Sequence, residues 1–159
     1  MSTIKIDLYS DTSTKPTRAM RAFMCEAEVG DEQKGEDPSV NALQDQVAEL
    51  LGKEAALLLP SGAMCNQIAY AVHCRAGDLI LMDRTAHSLI SEAGGAAVLA
   101  RATMYPIDGD HGMFTPEQMA AVMEAPTRYK PPFRLVCVEQ TTNKPGGRIW
   151  PLEQIQAVC

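Results

Sequence analysis

The sequence predicts an α/β fold in which a mostly parallel sheet is flanked by helices. Two observations carry this prediction. Short apolar runs of strand length, such as residues 79–82 and 134–139, recur along the chain, and segments with helical spacing of apolar residues separate them. Strands that alternate with helices pair in parallel, because each helix returns the chain to the start of the next strand. A chain of 159 residues is long enough to bury one hydrophobic core.

The N-terminal part predicts an arm followed by a long helix. Turn-forming residues dominate residues 1–36, and one short helix is expected near residues 17–24. Pro38 opens an amphipathic helix, since proline fits the first helical turn, and Gly52 ends it. The apolar residues that recur with helical spacing are Val40, Leu43, Val47, Leu50 and Leu51.

The rest of the chain predicts strands and helices in alternation. Strands are expected at residues 55–59, 79–82, 97–99, 103–107 and 134–139. Helices are expected at about residues 62–75, 88–93 and 115–124, and from Pro151 onward. Thr115 and Gln118 form a capping-box pattern around Pro116, which marks one helix start. The last helical pattern, at Leu152, Ile155 and Val158, continues to the end of the sequence, so the chain looks truncated.

Composition excludes several classes of protein. The net charge of −6 argues against a general nucleic-acid or anionic-membrane surface, because phosphate groups attract clustered Lys and Arg. No apolar run approaches the ~20 residues of a membrane span, and the N-terminus lacks a secretory signal. Five cysteines without a Cys-x-x-Cys pair are typical of reduced thiols, which predicts a cytoplasmic location. The three histidines lack the spacing of a metal site.

The turn at Pro60, Ser61 and Gly62 predicts a phosphate site. An apolar run stops at Pro60, and a helical pattern begins at Gly62. The first N–H groups of such a helix have no internal partners, and the helix dipole favours an anion there. An ordinary helix start with Ser61 as its cap accounts for the same residues. The turn is not a Walker loop or a dinucleotide fingerprint, because neither motif is present.

His87 is the second candidate functional residue. It follows a predicted buried strand, where the imidazole can stack on a flat ligand or move a proton near neutral pH, although a lone histidine is more often structural. The loops at residues 60–62, 83–87 and 140–147 all follow strands, and ligands of parallel sheets bind at that edge. The three loops therefore predict one site built from several segments.

Five motifs in order resemble those of the low-specificity L-threonine aldolases, which are pyridoxal-phosphate enzymes of the aspartate-aminotransferase fold type. The matching positions are Asp7 to Thr12 with Thr14 and Pro16, Gly30 with Asp31 and Gly35 to Pro38, Leu59 to Gly62 with Asn66, His87 with Glu92 to Gly95, and Glu139 with Thr141, Asn143, Gly146 and Gly147. The resemblance implies that residues 37–159 are part of the large cofactor-binding α/β domain of a fold-type I enzyme, behind an N-terminal arm and loop at residues 1–36.

The resemblance also implies roles for individual residues. The helix start at Ser61, Gly62 and Ala63 would bind the phosphate of pyridoxal phosphate. His87 would stack on the pyridine ring and help to deprotonate the substrate hydroxyl. The expected substrate-binding positions are Ser10, Lys34 and Thr142. Three positions depart from the family pattern: Ala63 stands where Thr is usual, Lys34 where many members have Tyr, and Thr142 where many have His.

The implied activity is cleavage of L-threonine or a related β-hydroxy-α-amino acid to glycine and an aldehyde. The family's cofactor-binding Lys comes after the last matched motif, so this chain alone is expected to bind the cofactor weakly and to be inactive. Relatives assemble as dimers or tetramers, which predicts a homo-oligomer. Two alternatives stay open: a β-eliminating lyase of the same fold, which releases pyruvate and ammonia, and a non-catalytic fragment that pairs with a separate C-terminal half through the helix at Leu152, Ile155 and Val158.

Overall fold

The structure is a computed structural model that describes residues 6–7, 9–125 and 127–159. The chain forms two compact units, Met1–Leu58 and Leu59–Cys159. The functional division predicted from the sequence, an arm over residues 1–36 and a cofactor-binding domain over 37–159, remains a prediction.

The described residues of the unit Met1–Leu58 form two α-helices, as the sequence predicts. Helix α1 spans Arg18–Glu26, and the side chain of Thr17 caps its start by accepting a hydrogen bond from the N–H of Met20. Helix α2 spans Pro38–Leu51 and ends at Gly52, whose φ of 60° is left-handed. A short 3₁₀ turn comes before each helix: Asp11–Ser13 before α1 and Glu32–Lys34 before α2.

Asp37 connects the start of α2 to the loop that precedes it. Its Oδ1 accepts the N–H of Val40 at 2.9 Å, and its Oδ2 accepts the N–H of Gly30 at 3.0 Å. A Cβ at Gly30 would lie 2.3 Å from the carbonyl oxygen of Glu36. Only glycine therefore fits this close approach of the two backbone segments.

The predicted strand at residues 55–59 is absent from the structure. These residues have no regular secondary structure and pair with no described strand. Leu57 and Leu58 are 67% and 48% exposed, and the N–H of Leu58 donates to the side chain of Gln44 at 2.9 Å. An apolar run becomes a strand only where a neighbouring strand accepts its hydrogen bonds, so the prediction is wrong for this chain.

The unit Leu59–Cys159 is built on a parallel sheet of three strands in the order β2-β1-β3. The strands span Leu79–Asp83 (β1), Thr103–Ile107 (β2) and Phe133–Val136 (β3). Strand β1 lies in the centre and pairs in parallel with both neighbours. The predicted parallel α/β fold is confirmed, although β3 is shorter than the predicted residues 134–139.

Along the described part of this unit, four α-helices come before, between and after the strands. They are α3 at Gly62–His73, α4 at His87–Ile90, α5 at Pro116–Val122 and α6 at Leu152–Val158. The capping box of α5 is present in full, with Thr115 accepting the N–H of Gln118 and Gln118 accepting the N–H of Thr115. The predicted strand at residues 97–99 is wrong, because these residues lie in a π-helical turn, Ala96–Ala100. Alanine-rich sequence favours helical backbone over a strand.

Strand β1 separates two hydrophobic clusters, because alternate side chains of a strand point to opposite faces. Ile80 and Met82 pack in a cluster with Tyr70 of α3, whereas Leu81 packs in a cluster with Phe114 and Trp150. All three strand residues are fully buried. The strand therefore provides the centre of this unit, and its carboxyl end presents the loop that leads to His87.

Helix α6 packs into the second cluster. Val158 is only 7% exposed and Ile155 packs beside it, whereas Leu152 is 70% exposed. The apolar surface that the sequence places at Leu152, Ile155 and Val158 is therefore mostly internal in this chain. None of the helices in the described ranges is long and apolar enough to cross a membrane.

Candidate functional site

The start of helix α3 presents unpaired backbone donors. The side chain of Ser61 accepts the N–H of Met64 at 3.2 Å, and the carbonyl of Ser61 accepts the N–H of Cys65. The N–H groups of Gly62 and Ala63 have no partner among the described residues. No atom of another segment lies within 4 Å of the position that a Cβ at Gly62 would take. This helix start is therefore open to an anion.

His87 is the first residue of α4 and is held by two carboxylates. Its backbone N–H donates to Oε1 of Glu139 at 2.9 Å. Its ring Nδ1 lies 3.2 Å from Oε1 of Glu92. The His87 side chain is 46% exposed, whereas the Glu92 side chain is 3% exposed. The buried carboxylate thus holds one edge of the imidazole and leaves the rest of the ring accessible.

Glu92 also connects His87 to helix α3. Asn66 donates through its Nδ2 to Oε1 of Glu92 at 2.8 Å, and Gln67 donates through its Nε2 to Oε2 at 2.6 Å. Both amides lie in the turn of α3 that follows Gly62. Gln67 is in turn confined by Gly95, where a Cβ would lie 2.6 Å from the Gln67 side chain. Asn66 and Gln67 of α3 and the imidazole are therefore joined by one set of hydrogen bonds through Glu92.

A third segment joins the same set through Glu139. Its Oε1 binds the N–H of His87, and its Oε2 accepts the N–H of Asn143 at 2.9 Å. The network thus joins the loop at residues 83–87, through His87, and the loop at residues 140–147, through Asn143, to Asn66 and Gln67 of α3. Glu139 stands in a polar string at a predicted strand end, which favours a pocket lining, but the sequence predicts no contact between it and His87. The sequence suggests no individual role for Gln67 or Glu92. The available signal for Glu92 was its place in a motif just before the glycine pair Gly94 and Gly95.

Tyr70 and Cys137 lie in the hydrophobic cluster that contains Ile80 and Met82. The thiol of Cys137 donates a long hydrogen bond to Oη of Tyr70 at 3.9 Å. Burial raises the pKa of Cys137 to about 11 and raises the pKa of Tyr70 well above its ordinary value. Both groups therefore stay protonated near neutral pH. Cys137 is not a nucleophile under those conditions, because only the thiolate attacks.

Thr142 is fully buried, in contrast to the open surface expected of a substrate-binding residue. Its hydroxyl accepts the N–H of Arg148 at 3.1 Å, and its own N–H donates to the carbonyl of Arg148. Its methyl group occupies the space beside Gly112. A contact between Thr142 and a substrate would require the loop at residues 142–148 to open.

Ser10 and Lys34 belong to the unit Met1–Leu58, and His87 belongs to the unit Leu59–Cys159. The hydroxyl of Ser10 lies 2.8 Å from the hydroxyl of Thr12 and accepts a hydrogen bond from the backbone N–H of Thr12. Lys34 forms an exposed ion pair with Asp31 at 3.2 Å. Their predicted contacts with a substrate remain predictions.

Two hollows in the surface are lined by other residues. One, of about 590 Å³, lies between α1 and α2 beside Phe23 and Leu43. The other, of about 320 Å³, lies beside Asp83, His111 and Lys144. Neither is lined by Ser61, Gly62, Ala63 or His87. In the described ranges, no three His, Cys, Asp or Glu side chains form a cluster that could hold a metal ion.

The fold of this chain is similar to that of two solved structures whose names refer to threonine aldolases and β-eliminating lyases. A crystal structure of a candidate L-allo-threonine aldolase from Listeria monocytogenes superposes with a TM-score of 0.65 at 20% identity, over 84% of this chain and 34% of that one. A crystal structure from Exiguobacterium, named for a group of β-eliminating lyases and threonine aldolases, gives 0.66 at 19% identity, over 87% and 38%. At such low identity these likenesses define the class of fold alone.

The sequence defines the family. Residues 7–159 match the model of the beta-eliminating lyases, and the chain belongs to that family. It is 41% identical over 152 residues to a low specificity L-threonine aldolase of Escherichia coli K12 and 38% identical over 158 residues to low-specificity L-threonine aldolase 1 of Arabidopsis thaliana. These matches cover 95% and 96% of this chain but 45% and 44% of the two relatives. The chain thus spans less than half of their length.

Proposed function

We propose that a polypeptide of the relatives' length that carries this chain cleaves L-threonine, or a related β-hydroxy-α-amino acid, to glycine and an aldehyde with pyridoxal phosphate. The observation that carries the proposal is the hydrogen-bonded link from Asn66 of α3 through Glu92 to the partly exposed ring of His87. That link supports a site in which the start of α3 would bind an anion and the ring of His87 would accept a proton. The names of the 41% and 38% identical relatives support the reaction.

The residues at the start of α3 fit the phosphate of this cofactor. Two unpaired N–H groups, at Gly62 and Ala63, point from a helix of 12 residues whose dipole favours an anion. The space beside Gly62 is open. Backbone N–H groups would carry most of the binding, since Ala63 provides no hydroxyl. When bound, pyridoxal phosphate supplies an electron sink for the carbanion that forms when the carbon–carbon bond breaks.

His87 provides the acid–base group of the proposed site. Its ring would stack on the flat cofactor and accept the proton of the substrate β-hydroxyl as the bond between Cα and Cβ breaks. The backbone contact with Glu139 holds the His87 main chain, and the ring contact with Glu92 sets its angle. Removal of a general base costs about 10²- to 10⁴-fold in rate. His87→Asn in the loaded polypeptide is expected to lower kcat to that extent.

Ser10, Lys34 and Thr142 are proposed to contact the substrate, with Ser10 near its carboxylate. The complete protein is proposed to form a dimer or tetramer. We also propose that it works in the cytoplasm. All five cysteines are unpaired in the structure, and Cys25, Cys65 and Cys159 are exposed, which suits a reducing compartment.

A β-eliminating lyase is the second candidate, because the family that the chain matches carries that description. The two reactions differ in products. Retro-aldol cleavage converts L-threonine to glycine and acetaldehyde, whereas elimination converts it to 2-oxobutanoate and ammonia.

The test is to incubate a polypeptide that has the full length of the relatives with pyridoxal phosphate and L-threonine. The products are identified by mass spectrometry. Equal amounts of glycine and acetaldehyde support the aldolase. A 2-oxo acid with ammonia contradicts it and favours elimination. The 159-residue chain, treated in parallel, is expected to give no product; glycine formation by this chain would contradict the view that it is an incomplete enzyme.

A further inference from the structure

The Glu92 carboxylate is buried with three polar neighbours. Its side chain is 3% exposed, yet it lies within hydrogen-bond distance of Asn66, Gln67 and the Nδ1 of His87. Burial of a carboxylate is costly unless donors satisfy its oxygens. Both amides donate to it, and an ionised carboxylate only accepts hydrogen bonds. The local structure is therefore arranged around an acceptor at this position.

The acceptor determines which ring nitrogen of His87 carries the proton. In a neutral imidazole one nitrogen donates and the other accepts. With the proton on Nδ1, the ring donates to Oε1 of Glu92 across 3.2 Å. With the proton on Nε2, a lone pair on Nδ1 would face the lone pairs of the buried carboxylate. The first arrangement is favoured because it adds a third donor to Glu92.

The other edge of the ring is open. Nε2 of His87 has no partner in the described part of the chain, and the side chain is 46% exposed. The second nearby carboxylate, Glu139, binds the backbone N–H of His87 and not its ring. Glu92 is therefore the charged group that faces the imidazole directly.

We infer that Glu92 is a positioning residue that keeps His87 in the Nδ1–H tautomer and thereby leaves Nε2 as the basic atom of the site. The inference rests on the proposed function for its catalytic meaning, because Nε2 is then the atom that accepts the β-hydroxyl proton. The tautomer itself is a property of this chain alone. It can be measured without cofactor or substrate.

The first test is ¹⁵N NMR of the 159-residue chain with labelled histidine, at about pH 9, where an ordinary histidine carries one ring proton. His87→Gln identifies the His87 signals among the three histidines. The expected spectrum has a protonated Nδ1 and an unprotonated Nε2. A proton predominantly on Nε2 in the wild-type chain overturns the inference, and no variant is needed for that result.

Two matched substitutions then test the cause. Glu92→Gln keeps the size of the side chain but offers an N–H as well as an oxygen, so the Nε2–H tautomer becomes accessible, and its share is expected to rise at least twofold. Glu139→Gln is the control, since Glu139 contacts only the backbone of His87. It is expected to leave the tautomer unchanged. An unaltered tautomer in Glu92→Gln overturns the role of Glu92.

A kinetic test uses the cofactor-loaded polypeptide that has the full length of the relatives. A ring that carries its proton on Nε2 has no lone pair there to accept the substrate proton. Glu92→Gln is therefore expected to lower kcat about tenfold or more and to keep KM within about twofold of the wild-type value. An unchanged kcat overturns the catalytic meaning of the tautomer. A wild-type enzyme that shows the Nδ1–H ring but cleaves no threonine contradicts the proposed function and leaves the tautomer assignment standing.

Discussion

Ala63 lies in the first turn of α3 with its side chain exposed and its N–H unpaired. In the family that the chain resembles, threonine is usual at this position. Ala63→Thr is expected to tighten pyridoxal-phosphate binding by the full-length polypeptide about tenfold, since a hydrogen bond to a charged group contributes about 1.5 kcal/mol or more. Cofactor titration followed by absorbance measures the change.

Ala63→Val is the control for this substitution, because valine has the branched shape of threonine without the hydroxyl. It is expected to leave the cofactor affinity unchanged or weaker. Equal tightening by valine and threonine would show that shape, and not a hydroxyl donor, limits binding at the helix start.

Asp37 predicts a pH dependence in the unit Met1–Leu58. The N–H of Val40, and next the N–H of Gly30, hold the pKa of Asp37 below its ordinary value of 3.8. A carboxyl with a lowered pKa in the folded state stabilises that state above pH 3.8, and this contribution is lost as the pH falls through the folded value. Asp37→Asn is therefore expected to be less stable than the wild type at pH 6 but to differ little from it at the acid end.

Urea unfolding followed by circular dichroism at several pH values measures this difference. Glu49→Gln serves as the control, because Glu49 is exposed on α2 and its side chain has no hydrogen bond or ion pair within the described part of the chain. A gap between wild type and Asp37→Asn that stays constant down to about pH 2 would contradict the linkage to Asp37.

At the scale of elements, the end of α3 and the end of β3 place two cysteines in the same buried cluster. Cys74 follows α3 and is 8% exposed, and Cys137 follows β3. Burial raises the pKa of both thiols, that of Cys137 to about 11. A pKa of about 11 leaves only about 0.1% of the Cys137 thiol ionised at pH 8. A thiol reagent is therefore expected to label the three exposed cysteines, Cys25, Cys65 and Cys159, well before these two.

Mass spectrometry of peptides after timed labelling measures the order. The same reaction in urea is the control, because unfolding should equalise all five rates. Labelling of Cys137 at the rate of Cys65 in the folded chain would show that the cluster under the site opens readily.

Helix boundaries were predictable because their signals are local. The caps at Asp37, Ser61 and Thr115 each bind an N–H within a few residues, so the sequence alone marks the start of α2, α3 and α5. Strands need a partner that is distant in sequence. The apolar runs at residues 55–59 and 97–99 therefore misled the prediction, since neither pairs with a described strand.

The residues of the candidate site also fall into those with a local sequence signal and those without one. Ser61, Gly62 and His87 could be proposed from the sequence because each stands at an element boundary with a known chemical preference. The partners of His87 could not, because Glu92 and Glu139 reach it only through the folded arrangement of three loops. The burial of Thr142 depends on Gly112 and Arg148, which no local pattern connects to it.

Over the whole molecule, the structure predicts a steep contrast in backbone protection between two apolar segments. The amides of β1 lie in the centre of a three-stranded sheet, and Ile80, Leu81 and Met82 are fully buried. Of residues 55–59, only Leu58 donates its N–H to a described partner, the half-buried side chain of Gln44. Hydrogen exchange follows the opening of hydrogen bonds and not the apolar character of a segment. Exchange measured by mass spectrometry is therefore expected to be slowest at residues 79–83 and fast at residues 55–59, with α2 as an internal reference of paired backbone. Protection of residues 55–59 equal to that of β1 would mean that this segment pairs with another strand in solution, as its sequence first predicts.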